Sequence, residues 1–158
     1  MKGINLAEQC HIVNATAPID INGAGATSDL FSMENYAHAS IICALGVTGA
    51  ATTITVTENT SSTAGGATVI DSFTVYSETT AAGDTLSTTT TTGSTDGFAA
   101  STNDGVFYVL ELDASALSDG YEWVGVQASD PSNATLYACT VVLSGARYQE
   151  LTTPTAIA

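Results

Sequence analysis

Cys10 and His11 are the first residues whose types could do chemistry together. A thiolate beside an imidazole base can act as a nucleophile. The sequence predicts a short helical turn over residues 5–10 and an extended segment from His11 onward. Neighbouring residues of a strand point to opposite faces, so a pair in extended backbone cannot meet. We therefore expect no nucleophile–base pair at this position.

His38 and Ser40 form the second pair, two residues apart on one face of a predicted strand. A hydroxyl and an imidazole are two members of a hydrolase triad, but nothing near them supplies the orienting acid or an oxyanion hole. The chain also contains no GxSxG, no HExxH, no phosphate loop and no dinucleotide fingerprint. The sequence predicts a non-enzymatic protein without catalytic or cofactor-binding residues.

Carboxylates in loops are the candidates for a metal site. Asp96-Gly97, Asp104-Gly105 and Asp119-Gly120 lie in predicted loops, and Glu111 and Asp113 share one strand face. Calcium takes about six to eight oxygen ligands, and surplus loop carboxylates can supply them. Asp-Gly is also a common turn dipeptide, and the chain has no EF-hand or nonapeptide repeat. We expect turns and no metal site or cofactor, with calcium as the alternative.

Tyr121 and Trp123 are aromatic residues at alternate positions of one predicted strand, opposite Val124 and Val126. One face of this strand must belong to the core. The other face presents the two rings to a second sheet, a partner or solvent. Rings of this kind can anchor sugar or protein interfaces, but the favoured interpretation is core packing.

The charge balance excludes two classes of partner. Sixteen acidic residues stand against two basic ones, Lys2 and Arg147, which gives a net charge of -14. Affinity for nucleic acid comes from Lys and Arg, and an anionic membrane surface repels a chain of this charge. We expect neither partner. Most of the carboxylates must be solvated, bind a metal or face a basic partner.

The cysteines and the N-terminus indicate a route without secretion. Cys10, Cys43 and Cys139 are odd in number and contain no CxxC pair, so we expect small buried apolar residues, not a disulfide framework or zinc site. Residues 1–9 lack the apolar core of a signal peptide. We expect a protein that is made and used without the standard secretory route.

Short strands dominate the predicted elements. The chain fits one domain, and no predicted helix exceeds two turns. The inward positions alternate with period two, as in half-buried antiparallel strands. They are Ala39, Ile41, Cys43, Leu45 and Val47, then Ile54 and Val56, and then Val106, Tyr108, Leu110 and Leu112. Seven or eight such strands predict an all-β, single-domain β-sandwich over residues 1–158, with a jelly roll as the close variant.

Three segments stand outside this pattern. Residues 1–13 and 145–158 are expected to be terminal arms, and they contain the only two cations. Residues 77–103 are polar and include five consecutive threonines at 88–92. A structureless loop of that length is unusual in a compact domain, so we expect a Thr-rich hairpin or an exposed lobe.

Three stretches of the chain resemble a known family: Leu6–Gly46, Val106–Asp130 and Thr135–Gln149. In strand order and in the general residue pattern of their strands they are similar to capsid decoration (cement) proteins of tailed, short-tailed bacteriophages. The strand ending at Leu112-Asp113, followed by a short turn and then Gly120-Tyr121-Glu122-Trp123-Val124, carries most of the similarity. Residues 77–103 have no matching part in it.

The resemblance implies a β-sandwich that sits as a homotrimer on the outer surface of the phage head. There it would clamp neighbouring subunits of the major capsid protein, with host contact as a secondary role. It implies a virion protein assembled in the host cytoplasm, and it transfers no catalytic residue. We further expect the two terminal arms to contribute capsid contacts.

Two other functional classes stay open. A bacterial surface adhesin or carbohydrate-binding β-sandwich module would use the aromatic residues and the Thr-rich segment. The missing signal peptide argues against it. An enzyme of an unrecognised type is disfavoured by the lack of a nucleophile–base pair.

Overall fold

A computed structural model of the chain describes residues 3, 5–63, 65–78, 85–92, 97–147 and 156–158. No helix in these ranges is long and apolar enough to cross a bilayer. The elements are short and almost all extended. In chain order they are α1 (Leu6–Gln9), β1 (His11–Asp20), β2 (Ala26–Thr27), β3 (Phe31–Ser32), β4 (Tyr36–Thr48), β5 (Thr53–Asn59), β6 (Thr68–Val69), β7 (Ser72–Glu78), β8 (Leu86–Thr92), β9 (Phe98–Ala99), β10 (Val106–Asp113), a 3₁₀ turn (Ala114–Ala116), β11 (Trp123–Ala128) and β12 (Thr135–Ala146).

The described strands form two antiparallel sheets. The large sheet has the order β1-β12-β4-β10-β7-β8. The second sheet has the order β2-β11-β5-β6, with β3 paired to β11 and β9 paired to β5. The all-β sandwich predicted from the sequence is confirmed.

The core lies between the inner faces of the two sheets. Alternate residues of each long strand are buried there, because successive side chains of a strand point to opposite faces. Each fully buried Val, Ile or Leu side chain among them contributes about 1.5–3 kcal/mol when it leaves water. The large sheet supplies Ala39, Ile41, Cys43, Leu45, Val106, Tyr108, Leu110 and Leu112, and the second sheet supplies Ile54, Val56, Val124 and Val126.

The predicted inward position of Val47 is wrong, since this side chain is 58% exposed. Leu45 lies opposite Tyr137, but Thr48 lies opposite Thr135, so two residues of β4 face a single residue of β12. An extra residue of this kind is a β-bulge, which interrupts the alternation of faces. Thr48 is buried beyond the bulge, and Val47 is directed to solvent.

The chain ends are only partly arms. His11–Val13, assigned above to the N-terminal arm, are the first residues of β1 and pair with β12. Near the C-terminus, the Ser32 amide donates to the Ala156 carbonyl at 2.7 Å, and the Ala158 amide donates to the Leu30 carbonyl at 3.0 Å. Residues 148–155 of the predicted C-terminal arm, and Lys2 of the other, lie outside the described residues.

The Thr-rich segment contains two strands. β8 pairs antiparallel with β7 from Glu78 opposite Leu86 to Ser72 opposite Thr92. β9 pairs with β5 in the second sheet. Residues 79–84 and 93–96 of this segment lie outside the described residues. Residues 77–103 therefore contribute a strand to each sheet.

Candidate functional site

Four polar side chains meet on the outer face of the large sheet. The pairing of β4 with β10 places Asp113 opposite His38 and Glu111 opposite Ser40. His38 Nε2 lies 2.7 Å from Glu111 Oε2, and His38 Nδ1 lies 2.8 Å from Asp113 Oδ1. Ser40 Oγ donates to the same Glu111 oxygen at 2.6 Å. We call these residues the His38 cluster.

The hydrogen bonds of the His38 cluster do not activate a nucleophile. Ser40 donates its proton to Glu111, whereas a triad serine must donate to the imidazole. Both ring nitrogens of His38 face carboxylates. The described residues also contain no group of three or more His, Cys, Asp or Glu arranged to hold a metal. The cluster is therefore a cross-strand ion pair.

The two carboxylates favour the protonated form of His38. Partial burial of the imidazole would by itself lower its pKa, because burial disfavours the charged form. The hydrogen bonds to Asp113 and Glu111 and the charges of the same two groups act in the opposite direction and outweigh it. The pKa of His38 is therefore raised above its usual value.

Beside this cluster the outer face of β4, β10 and β12 is mostly apolar, with Thr140 opposite Ile42 as a polar interruption. Ile42 lies opposite Val109, and Ala44 lies opposite Phe107 on one side and Ala138 on the other. Phe107 is 51% exposed and Leu136 is 47% exposed. We define the apolar outer face by these residues of β4, β10 and β12: Ile42, Ala44, Phe107, Val109, Leu136, Ala138 and Val142.

Carboxylates are sparse on the apolar outer face, although Glu78 of β7 borders it and its Oε2 accepts a hydrogen bond from the Phe107 amide at 3.3 Å. β4 and β12 contain no carboxylate, and the two on β10, Glu111 and Asp113, are both bonded to His38. The other fourteen of the sixteen acidic residues lie outside these three strands. Contiguous exposed apolar patches rimmed by polar residues mark interaction sites. The geometry makes this face the candidate site for a protein partner.

Sequence reasoning missed this face, although a signal for it was present. In a two-layer sandwich a strand with one face in water alternates apolar and polar residues. Ile41-Ile42 and Val141-Val142 break that alternation, because both residues of each pair are apolar. Consecutive apolar residues in these two adjacent inner strands, β4 and β12, indicate apolar side chains on both faces of the sheet.

Cys10 and His11 are not brought together by any described contact. His11 Nδ1 instead lies 2.7 Å from the Tyr36 hydroxyl. All three cysteines are free thiols, and Cys43 and Cys139 are buried as predicted, whereas Cys10 is only partly buried. A shared hydrogen bond with Cys43, together with burial, raises the pKa of Cys139, so this thiol stays protonated.

The Asp-Gly dipeptides serve as turns where the structure describes them. Gly105 and Gly120 have φ angles of 66° and 80°, which glycine adopts without strain. Asp104 Oδ1 accepts a hydrogen bond from the Thr48 amide at 2.7 Å, which ties its loop to the bulged end of β4. Asp96 lies outside the described residues.

The core packing predicted for Tyr121 and Trp123 is wrong, since both are only partly buried. The inner positions of β11 are occupied by Val124 and Val126, so Trp123 lies on the outer face of the second sheet. Tyr121 lines a cleft of about 260 Å³ at one end of the sandwich. The same cleft is lined by Glu34, Asp119, Glu122 and Arg147.

Glu58 supports the wall of this cleft and was not singled out from the sequence. Its side chain is 3% exposed, and its Oε2 accepts a hydrogen bond from the Ser118 amide at 2.8 Å. Ser118 is one of the lining residues. The position of Glu58, two residues after the inward-facing Val56, was the signal available in the sequence.

Comparison of the chain with protein-family models, curated proteins and solved structures gave no significant match.

Proposed function

We propose that the protein is a non-enzymatic virion structural protein that binds the outer surface of a phage head and stabilises the capsid lattice. It binds through the apolar outer face, and its partner is the major capsid protein. The observation that carries this proposal is the scarcity of carboxylates on this face: β12 and β4, two adjacent inner strands of the large sheet, contain none in a chain with a net charge of -14.

The physical basis is the removal of apolar surface from water. Each Å² of apolar surface that a partner covers contributes roughly 25 cal/mol before the costs of association. Phe107 and Leu136 supply the largest exposed side chains of this face. Most of the other described carboxylates face solvent, Glu58 and Glu78 being the buried ones, and their charge keeps free copies apart.

The resemblance to decoration proteins supports the lattice as the partner and a homotrimer as the bound form. A trimer on a threefold or quasi-threefold position makes three equivalent contacts. Multivalent attachment lets modest individual contacts add up to a stable coat. Ile12 of the N-terminal segment pairs with Val142 and is 49% exposed, so this segment extends the apolar outer face.

The test is cosedimentation of purified protein with undecorated heads of the phage that encodes it. Phe107→Glu introduces a carboxylate into the apolar outer face, and we expect it to abolish cosedimentation. Gln127→Glu is the matched control, because Gln127 is exposed on the opposite face of the sandwich. Wild type and the control should bind, and ultracentrifugation should give a trimer. A wild-type protein that never sediments with heads, at any salt concentration, rules against the proposal.

A second candidate is a carbohydrate-binding module, favoured by the cleft beside Tyr121. An aromatic ring can pack on a sugar face while carboxylates such as Glu122 and Asp119 accept hydrogen bonds from its hydroxyls. Binding of the protein to an oligosaccharide array, lost on Tyr121→Ala, would support this function. Array binding that survives the substitution would exclude the cleft as the site.

A further inference from the structure

We infer that binding at the apolar outer face is coupled to protonation of His38, so that the partner is held more tightly when the imidazole carries both of its protons. This inference rests on the proposed function, because it concerns regulation of the same face. It starts from the position of the His38 cluster at the border of that face, where Ser40 lies opposite Val142 and two residues before Ile42.

The hydrogen bonds of the cluster are those of an imidazolium. Both partners of His38 are carboxylate oxygens, at 2.7 Å and 2.8 Å. An ionised carboxylate only accepts hydrogen bonds, and a neutral imidazole has a single N–H to donate. Only the protonated ring satisfies both Glu111 and Asp113. After loss of the proton, one carboxylate faces a ring lone pair.

Within the part of the chain that the structure describes, no titratable side chain other than Glu111 and Asp113 is hydrogen-bonded to His38. From β10 the titratable groups are Glu111 and Asp113. The adjoining part of β12 supplies Val142 and Ser144, and the 3₁₀ turn at residues 114–116 contains only Ala and Ser. On β4 itself, burial raises the pKa of Tyr36, so this phenol stays neutral through the range in which histidine titrates.

Covering the face makes the proton state matter. In the free protein the Asp113 side chain is 71% exposed, so water can satisfy it when His38 is neutral. A bound partner removes that water, and a carboxylate left without a donor is costly to desolvate. Glu111 accepts the hydrogen bond from the Ser40 hydroxyl whether His38 is protonated or neutral. Binding therefore favours the protonated cluster and takes up as much as one proton.

The uptake of as much as one proton on binding limits how steeply the dissociation constant can depend on pH. Above the pKa of His38 in the free protein, the dissociation constant should rise by as much as about tenfold per pH unit. Below that pKa it should be nearly independent of pH. Docking should in turn raise the pKa of His38, since the linkage is reciprocal.

The experiment has two arms. NMR titration of the two histidine rings in the free protein gives the pKa of His38. Cosedimentation with undecorated heads between about pH 5.5 and about pH 8.5, the range of histidine titration, gives the dissociation constant at each pH. The variants are His38→Gln and Asp113→Asn, and His11→Gln is the matched control because His11 bonds to Tyr36 and not to this cluster.

We expect wild type and His11→Gln to show the same pH-dependent weakening. His38→Gln should bind with little pH dependence, at the weak limit of the wild type. Asp113→Asn should show a smaller change, because one carboxylate is gone. Binding by wild type that does not depend on pH, or pH dependence that persists in His38→Gln, overturns the inference but leaves the proposed function in place. Heads that bind no protein at any pH overturn both.

Discussion

Substitutions at two positions of β10 can test whether one face of the large sheet is buried in the core and the other is exposed to solvent. Leu110 is 0% exposed, and Phe107, three residues earlier on the same strand, is 51% exposed. We expect Leu110→Ala to lower the free energy of unfolding several times more than Phe107→Ala does. Although Phe107 has the larger side chain, its removal should cost less free energy of unfolding, because it lies on the solvent-exposed face.

The magnitudes follow from burial. Leu110→Ala deletes buried methyl groups and leaves a cavity, which costs about 2–5 kcal/mol. Full burial of a Phe side chain contributes about 1.5–3 kcal/mol, so a half-exposed Phe107 contributes about 1 kcal/mol. A single domain is stable by about 5–15 kcal/mol, so the two losses are readily separated.

Urea unfolding followed by fluorescence of Trp123, the single tryptophan, measures both losses. The slope of free energy against urea should be the same in wild type and both variants, because the unfolded surface hardly changes. If Phe107→Ala costs as much as Leu110→Ala, the outer face is covered in the folded protein. It would then be unavailable to a partner.

Three further predictions concern single residues. His38 has a raised pKa in the folded state, so its stabilisation is full below the unfolded value of about 6.5 and is lost as the pH rises through the folded value. The urea midpoint of wild type should fall over that range more than the midpoint of His38→Gln, and parallel curves would contradict the assignment. Gly97 has φ +67°, and an added Cβ would meet the Ile54 carbonyl oxygen, so Gly97→Ala should cost at least about 1–3 kcal/mol, and an unchanged melting temperature would refute it. The Tyr137 hydroxyl lies 3.5 Å from Cys43 Sγ, a weak partner, so Tyr137→Phe should change stability by less than about 1 kcal/mol in thermal melts, and a larger loss would show that the hydroxyl has a stronger role.

The inner faces of the strands could be predicted because alternation is a local property of the chain. Ile41 and Leu110 are buried as their position in the sequence indicates. The bulge that exposes Val47 could not be predicted, because it is defined by the residues of β12 that lie opposite. Those residues are almost ninety positions further along the chain.

The His38 cluster could not be predicted for the same reason, because it also depends on residues that are distant in the sequence. Its histidine and serine were noticed as one pair, and its two carboxylates as another. What joins them is the register of β4 against β10, which brings together residues 73 positions apart. Nothing in either local sequence encodes that register. The same register aligns Ile42 with Val109 and so assembles the apolar outer face.

The place of β12 in the large sheet has a consequence for how the protein folds. This strand lies between β1 and β4, although it follows both of them by about ninety residues or more. β4 can pair with β10 once Asp113 has been made, but synthesis must pass Ala146 before β1 acquires its neighbour and β4 its second one. Contacts between residues so far apart in sequence make folding slow, and the nascent chain meanwhile exposes unpaired strand edges. Folding is therefore expected to finish only after β12 has left the ribosome, and a chain that stops before residue 135 should aggregate instead of closing the sheet.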